Sequence, residues 1–160
     1  MKKIKLDQIS VQRIVIFIIV ILSVVYFRYN WIRNKNEQTD DLLRIARTIE
    51  VTLPMEDLKA LEAKPGDIGK PQYLIIKDKL KAIIRVNTDA RFVYIYTERN
   101  GKIYFIADSK PEDSKDYSPP GKEFTEAKSE DKKPFSDGKV IIVVSKCDRW
   151  GTWTSALIPI

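Results

Sequence analysis

From Ile14 to Phe27 the chain reads IVIFIIVILSVVYF, fourteen residues in which Ser23 is the only polar one. As helix, at about 1.5 Å per residue, this covers about 21 Å, short of a hydrocarbon core of about 30 Å. The flanks extend it: Ile9 and Val11 before, Tyr29, Trp31 and Ile32 after. Arg13 and Arg28 can direct their charges toward the interfaces. Tyr26, Tyr29 and Trp31 gather at the C-terminal end, as an interfacial aromatic belt does. A core of this size rarely sheathes a helix on all sides, and no small-residue cleavage pattern follows, only Tyr26-Phe27-Arg28-Tyr29. The expectation is an uncleaved membrane anchor over residues 14–32.

Beyond it the hydrophobic period is helical. Leu42, Ala46, Ile49 and Leu53 form one stripe, which predicts continuing helix from Trp31 to Val51. Thr39, Asp40 and Asp41 offer an alternative fresh start. Pro54 ends the run. Met55–Ala63 is a short helix candidate, and 64–70 (KPGDIGK) a loop. Pro71 suits the first position of a helix to Arg85, with Tyr73, Ile76, Leu80, Ile83 and Ile84 on its apolar face. After Asn87 the period becomes two. Arg91–Glu98 (RFVYIYTE) is a strand with Phe92, Tyr94 and Tyr96 on one face and Val93, Ile95 and Thr97 on the other. Asn100-Gly101 is a hairpin turn, and Lys102–Asp108 the returning strand. Residues 109–138 are a charged, Pro-rich connection whose length suits a lid or binding loop. Lys139–Ser145 is a strand apolar on both faces, hence expected inside. Asp148–Gly151 is a tight turn, and Thr152–Ile158 the last strand.

Within 160 residues there is room for one ordinary domain and an appendage. Histidine is absent, which removes the Ser-His-Asp triad, the Cys-His pair and the His-bearing zinc site. One cysteine, Cys147, rules out an internal disulfide or a cysteine-based cluster. The net charge of +6 belongs to the anchor's flanks: residues 1–35 hold Lys2, Lys3, Lys5, Arg13, Arg28, Arg33 and Lys35 against Asp7. The rest of the chain balances, so no nucleic-acid partner is expected. Four basic residues before the span and three after favour, weakly, a cytoplasmic N-terminus.

The runs RFVYIYTERNGKIYFIADS, DYSPPGKEF, KPFSDG and DRWGTWTSALIPI resemble the extracytoplasmic Cache (PDC) sensor domains of membrane sensor histidine kinases, diguanylate cyclases and chemoreceptors. The resemblance runs from about Asp40 to Ile160. It implies an α+β fold: a transmembrane helix and long helix, then a PAS-like antiparallel sheet of two hairpins. It implies a loop and short helix covering the sheet, with a small ligand between cover and sheet. In that family a further, central strand joins the hairpins. This sequence does not hold it, so the sheet is expected to be incomplete and the chain a fragment of a two-component or related signal-transduction receptor. The implied organisation is 1–13 cytoplasmic, 14–32 anchor, 33–87 helical stalk and 88–160 sensor sheet.

By the family's geometry the candidate ligand residues are Tyr94, Tyr96, Asp108, Tyr117, Arg149, Trp150, Trp153 and Ser155. Phenol and indole groups orient carboxylates or amines, and Arg149 suits a carboxylate. Ordinary packing is the competing role for each. No catalytic residue, metal ligand or cofactor is expected. The expected partners are the membrane, an unidentified small molecule and, through the helix after the anchor, a second copy. The fuller Arg, Trp, Tyr and Asp pattern of amino-acid-binding Cache domains is not evident. The chain is expected in the cell membrane, single-pass, with its C-terminal domain extracytoplasmic. A pilin-like structural protein is the alternative, disfavoured by the missing Gly-Phe leader and Glu. A membrane-anchored hydrolase is disfavoured because Asp108, Asp116 and Asp148 show no pairing.

Overall fold

The computed structural model describes residues 8–148 and 151–160. It is α+β, with a long apolar helix and two small antiparallel sheets. Helix α1 runs unbroken from Gln8 to Thr52, so the alternative start at Thr39 is not used. The chain divides into two compact units at Asp40.

In the first unit the large apolar side chains from Val11 to Ile32 are exposed, Phe27 at 75% and Trp31 at 70%. Length and composition suffice to cross a membrane. Ser23, the polar exception, donates its hydroxyl to the Ile19 carbonyl at 2.8 Å, which leaves no unmet polar group on an apolar surface.

In the second unit the last turns of α1 carry Ile49 and Leu53 into the main core. Helix α2 (Met55–Lys59) is shorter than its sequence candidate. The 64–70 loop contains a 3-10 turn, Pro65–Asp67, built on Asp67. This carboxylate is buried and accepts from the Glu62 and Lys64 amides at 2.9 and 3.1 Å and from Lys70 at 2.7 Å. Burial pushes its pKa up, but Lys70 and the two amides outweigh that and hold it below the ordinary carboxylate value of 3.8. A depressed carboxylate stabilises the fold above its unfolded pKa and loses that contribution as pH falls through the lower folded value. Asp67→Asn therefore costs about 1.5–3 kcal/mol at neutral pH, the worth of bonds to a charged acceptor. Denaturation of wild type and variant should converge as the pH drops below about 4, the range set by that carboxylate.

Helix α3 (Pro71–Val86) buries Tyr73, Ile76, Lys77 and Leu80. Strands β1 (Tyr94–Arg99) and β2 (Lys102–Asp108) form the expected hairpin, with Asn100 and Gly101 at φ +51° and +76°. The register shifts between Ile95, opposite Ala107, and Tyr96, opposite Phe105. Ile106 is the extra residue, and this bulge lets Ile106 and Ala107 both enter the helix-side core with Ile95, Val93 and Tyr104. The other face carries Tyr94, Tyr96, Ile103 and Phe105 under Phe124 and Ala127. The outer edge of β2 is taken by residues 121–124, whose Gly121 and Phe124 amides donate to Phe105 and Ile103.

The long connection is not all loop: Ser129–Asp137 is helix α4, with Pro134 inside it. Strands β3 (Ile141–Asp148) and β4 (Gly151–Leu157) pair as a second hairpin. Strand β3 is not interior as its composition predicts. Ile141, Ile142 and Val143 are half-buried and Val144 is 42% exposed. No backbone ladder joins the two hairpins among the described residues.

Candidate functional site

The candidate residues fall in three places. Tyr94 and Tyr96 stand on the face of β1 turned away from α3, their rings stacked at 5.7 Å. Tyr94 meets Phe105 edge-on at 5.6 Å and Phe124 at 6.5 Å. The Tyr96 hydroxyl donates to the Asp131 carbonyl at 3.3 Å, and its ring lies 5.7 Å from Phe135 of α4. Burial raises the Tyr96 pKa, so the phenol stays protonated. This aromatic layer lies between the sheet and the short helix α4.

Asp108 and Tyr117 meet elsewhere, against α3. Asp108 lies opposite Tyr94 in the strand register, yet its carboxylate goes to Lys77, Nζ to Oδ1 at 3.0 Å. The same oxygen accepts the Lys110 amide at 3.0 Å, and Oδ2 accepts the Ser118 amide at 2.6 Å. The Lys77 ammonium also donates to the Lys110 carbonyl and lies 4.3 Å from the Tyr117 ring centroid. The Tyr117 and Tyr73 hydroxyls are 2.8 Å apart. Burial lowers the Lys77 pKa against the pull of Asp108. Burial also raises Tyr117, and burial with the Tyr117 bond raises Tyr73. Asp108 thus pins the connection after β2 to α3, with both oxygens engaged inside the protein.

Trp153 and Ser155 lie on β4, half-buried. Trp153 meets Phe92 edge-on at 5.6 Å, and the Arg91 guanidinium lies over both rings at 5.0 and 5.2 Å. Trp153 also covers Gly151, where a Cβ would come 3.1 Å from its ring. Arg149 and Trp150 lie outside the described residues, as does the middle of their turn. Among the six described candidates, Tyr94 and Tyr96 form one pair and Asp108 and Tyr117 another.

Five participants are not among the sequence's site candidates: Lys77, Tyr73 and the cover residues Phe124, Asp131 and Phe135. Lys77 carries a legible signal. It lies four residues after Tyr73 and three before Leu80, inside the apolar stripe of α3, where a lysine needs a buried partner. The chain matches no family model, no curated protein and no solved structure.

Proposed function

We propose that this chain is the signal-sensing portion of a transmembrane receptor of the Cache type, anchored by α1 and carrying its sensor domain outside the cytoplasm. The supporting observation is the layering of the β1–β2 sheet. Helices α2 and α3 and the end of α1 cover one face, and an aromatic face lies under residues 124–137. A small molecule would bind on that aromatic face, against Tyr94 and Tyr96. The helix that would span the membrane packs Ile49 against the core behind the sheet, and Leu53, the residue after it, lies in that core. A shift in sheet packing would therefore reach the anchor through continuous helix. Output would belong to a histidine kinase or diguanylate cyclase region, and no reaction is assigned to the residues here. Pairing of two copies through the helix after the anchor would fit this role.

The free strand edges support the PAS-like sheet. Among the described residues β2 is covered on both sides, while β1 has a strand neighbour on one side alone, and the β3–β4 sheet is open at both ends. A strand placed between β1 and the second hairpin would unite them, and it would cover backbone groups that otherwise invite pairing with other chains.

Cys147 supplies the test. It is the single cysteine and is exposed. In intact cells a membrane-impermeant maleimide should label the full chain at Cys147, and Cys147→Ser should remove the signal. Labelling that appears only after permeabilisation would place the domain in the cytoplasm and end the proposal. For binding, a panel of small carboxylates and amines should raise the melting temperature of the chain in lipid nanodiscs, and Tyr94→Ala should abolish the shift.

A further inference from the structure

Residues 117–135 pass over one edge of the β1–β2 sheet, from its helical face to its aromatic face. On the helical side Tyr117 meets Tyr73 and Lys77 of α3. At the edge Gly121, at φ +85°, presses against Lys64 and Pro65, where a Cβ would come within 2.8 Å of the proline ring. Gly121 and Phe124 then bond to β2. On the far side Phe124 joins Phe105 and Tyr94, and Tyr96 holds the Asp131 carbonyl.

We propose that this segment is a strap coupling the aromatic face to α3, with Asp108 as the positioning residue that fastens it. One carboxylate grips both parts: Oδ1 binds Lys77 on the helix, and Oδ2 binds the Ser118 amide on the strap. The group is buried, so the contact is either made or broken and does not stretch gradually. Movement of the strap changes the partners of Lys77. Lys77 shares its helix face with Tyr73, Ile76 and Leu80, which belong to one core with Leu53, the residue that follows α1. Displacement on the aromatic face is thereby registered by α3. This coupling would regulate the binding face proposed above, so its role rests on that proposal, but its test requires no ligand.

Hydrogen exchange of the full chain in lipid nanodiscs reads it directly. Tyr96→Phe releases the Asp131 carbonyl on the far face and touches nothing on α3. It should speed exchange several-fold at strap amides 117–124 and also at α3 amides 76–80. Asp108→Asn should abolish the transfer to α3. Tyr117→Phe, which removes only the Tyr73 hydroxyl contact, should weaken that transfer and covers the case in which the Asp108 variant does not fold. Faster exchange confined to 117–124 after Tyr96→Phe would overturn the strap. So would a uniform rise that includes the β1–β2 ladder, which would mark general loss of stability. Either failure leaves the Cys147 and ligand results standing, and a failed ligand screen leaves the exchange result standing.

Discussion

Removing one partner of the Lys77–Asp108 pair, by Lys77→Met or Asp108→Asn, is expected to destabilise the second unit by about 3–5 kcal/mol, the usual cost of leaving a buried charge alone. The two side chains are only 3% and 7% exposed. Water therefore cannot replace the lost partner, unlike at Arg33–Glu37 or Arg44–Asp41, whose side chains are more than half exposed and whose pairing solvent screens. The double variant Lys77→Met, Asp108→Leu distinguishes charge pairing from loop fastening. Exchanging a simple buried ion pair for apolar groups is often neutral. Here it also removes the acceptor for the Lys110 and Ser118 amides, and bonds to a charged acceptor are worth about 1.5–3 kcal/mol each. The double variant should recover part of the loss and remain well below wild type. Equilibrium denaturation in detergent of wild type, Lys77→Met, Asp108→Leu and the double variant measures all four corners of the cycle. Single variants costing under about 1 kcal/mol would show the site to be wet and unimportant to stability, in contrast to the buried case.

The helices and the first hairpin were legible because their cues are local. Pro71 and a 3.6-residue stripe define α3, and Asn100-Gly101 between alternating runs defines the turn. What was not legible depends on contacts distant in sequence. Nothing near Asp108 announces that its partner is Lys77, thirty-one positions earlier, or that its other oxygen takes Ser118. The family's geometry makes Asp108 and Tyr117 ligand candidates; both contact α3, through Lys77 and Tyr73. Helix α4 was hidden by Pro134 and by charge-rich composition with no clear apolar stripe. It forms because the Asp131 carboxylate accepts the Lys128 amide at 2.7 Å, which closes its first turn, and because Gly138 at φ +60° ends it. The interior position expected of β3 rested on composition alone. A strand apolar on both faces needs two covering layers, and the β3–β4 hairpin has no third strand beside it among the described residues. Tyr94 and Tyr96 sit on the face that alternation assigned them, because alternation needs only the strand itself and a turn that fixes register.

Arginine placed in the middle of the apolar segment should expel it from the membrane in a graded way, and the gradation is informative. On the insertion scale each Ile, Leu, Val or Phe at the centre of a span favours it by about 0.3–0.6 kcal/mol, and each Arg opposes it by about 2.5–3.5. The twelve Ile, Val, Leu and Phe residues of Ile14–Phe27 then supply about 4–7 kcal/mol on that scale. Ile21→Arg alone should leave much of the chain in the carbonate-resistant membrane fraction. Ile18→Arg with Ile21→Arg cancels most or all of the driving force and should shift the chain out of that fraction. Ile21→Leu, which preserves the balance, should behave as wild type. A buried core helix would answer differently. Its apolar residues would pack against the chain itself, and two arginines would unfold a soluble protein rather than change its compartment. The apolar window of α1 is not buried by the chain at all, and Phe17, Phe27 and Trp31 are exposed at 66%, 75% and 70%. Wild-type chain found wholly in the carbonate-soluble fraction would exclude the anchor, and with it the route by which a shift in α3 reaches the far side of a membrane.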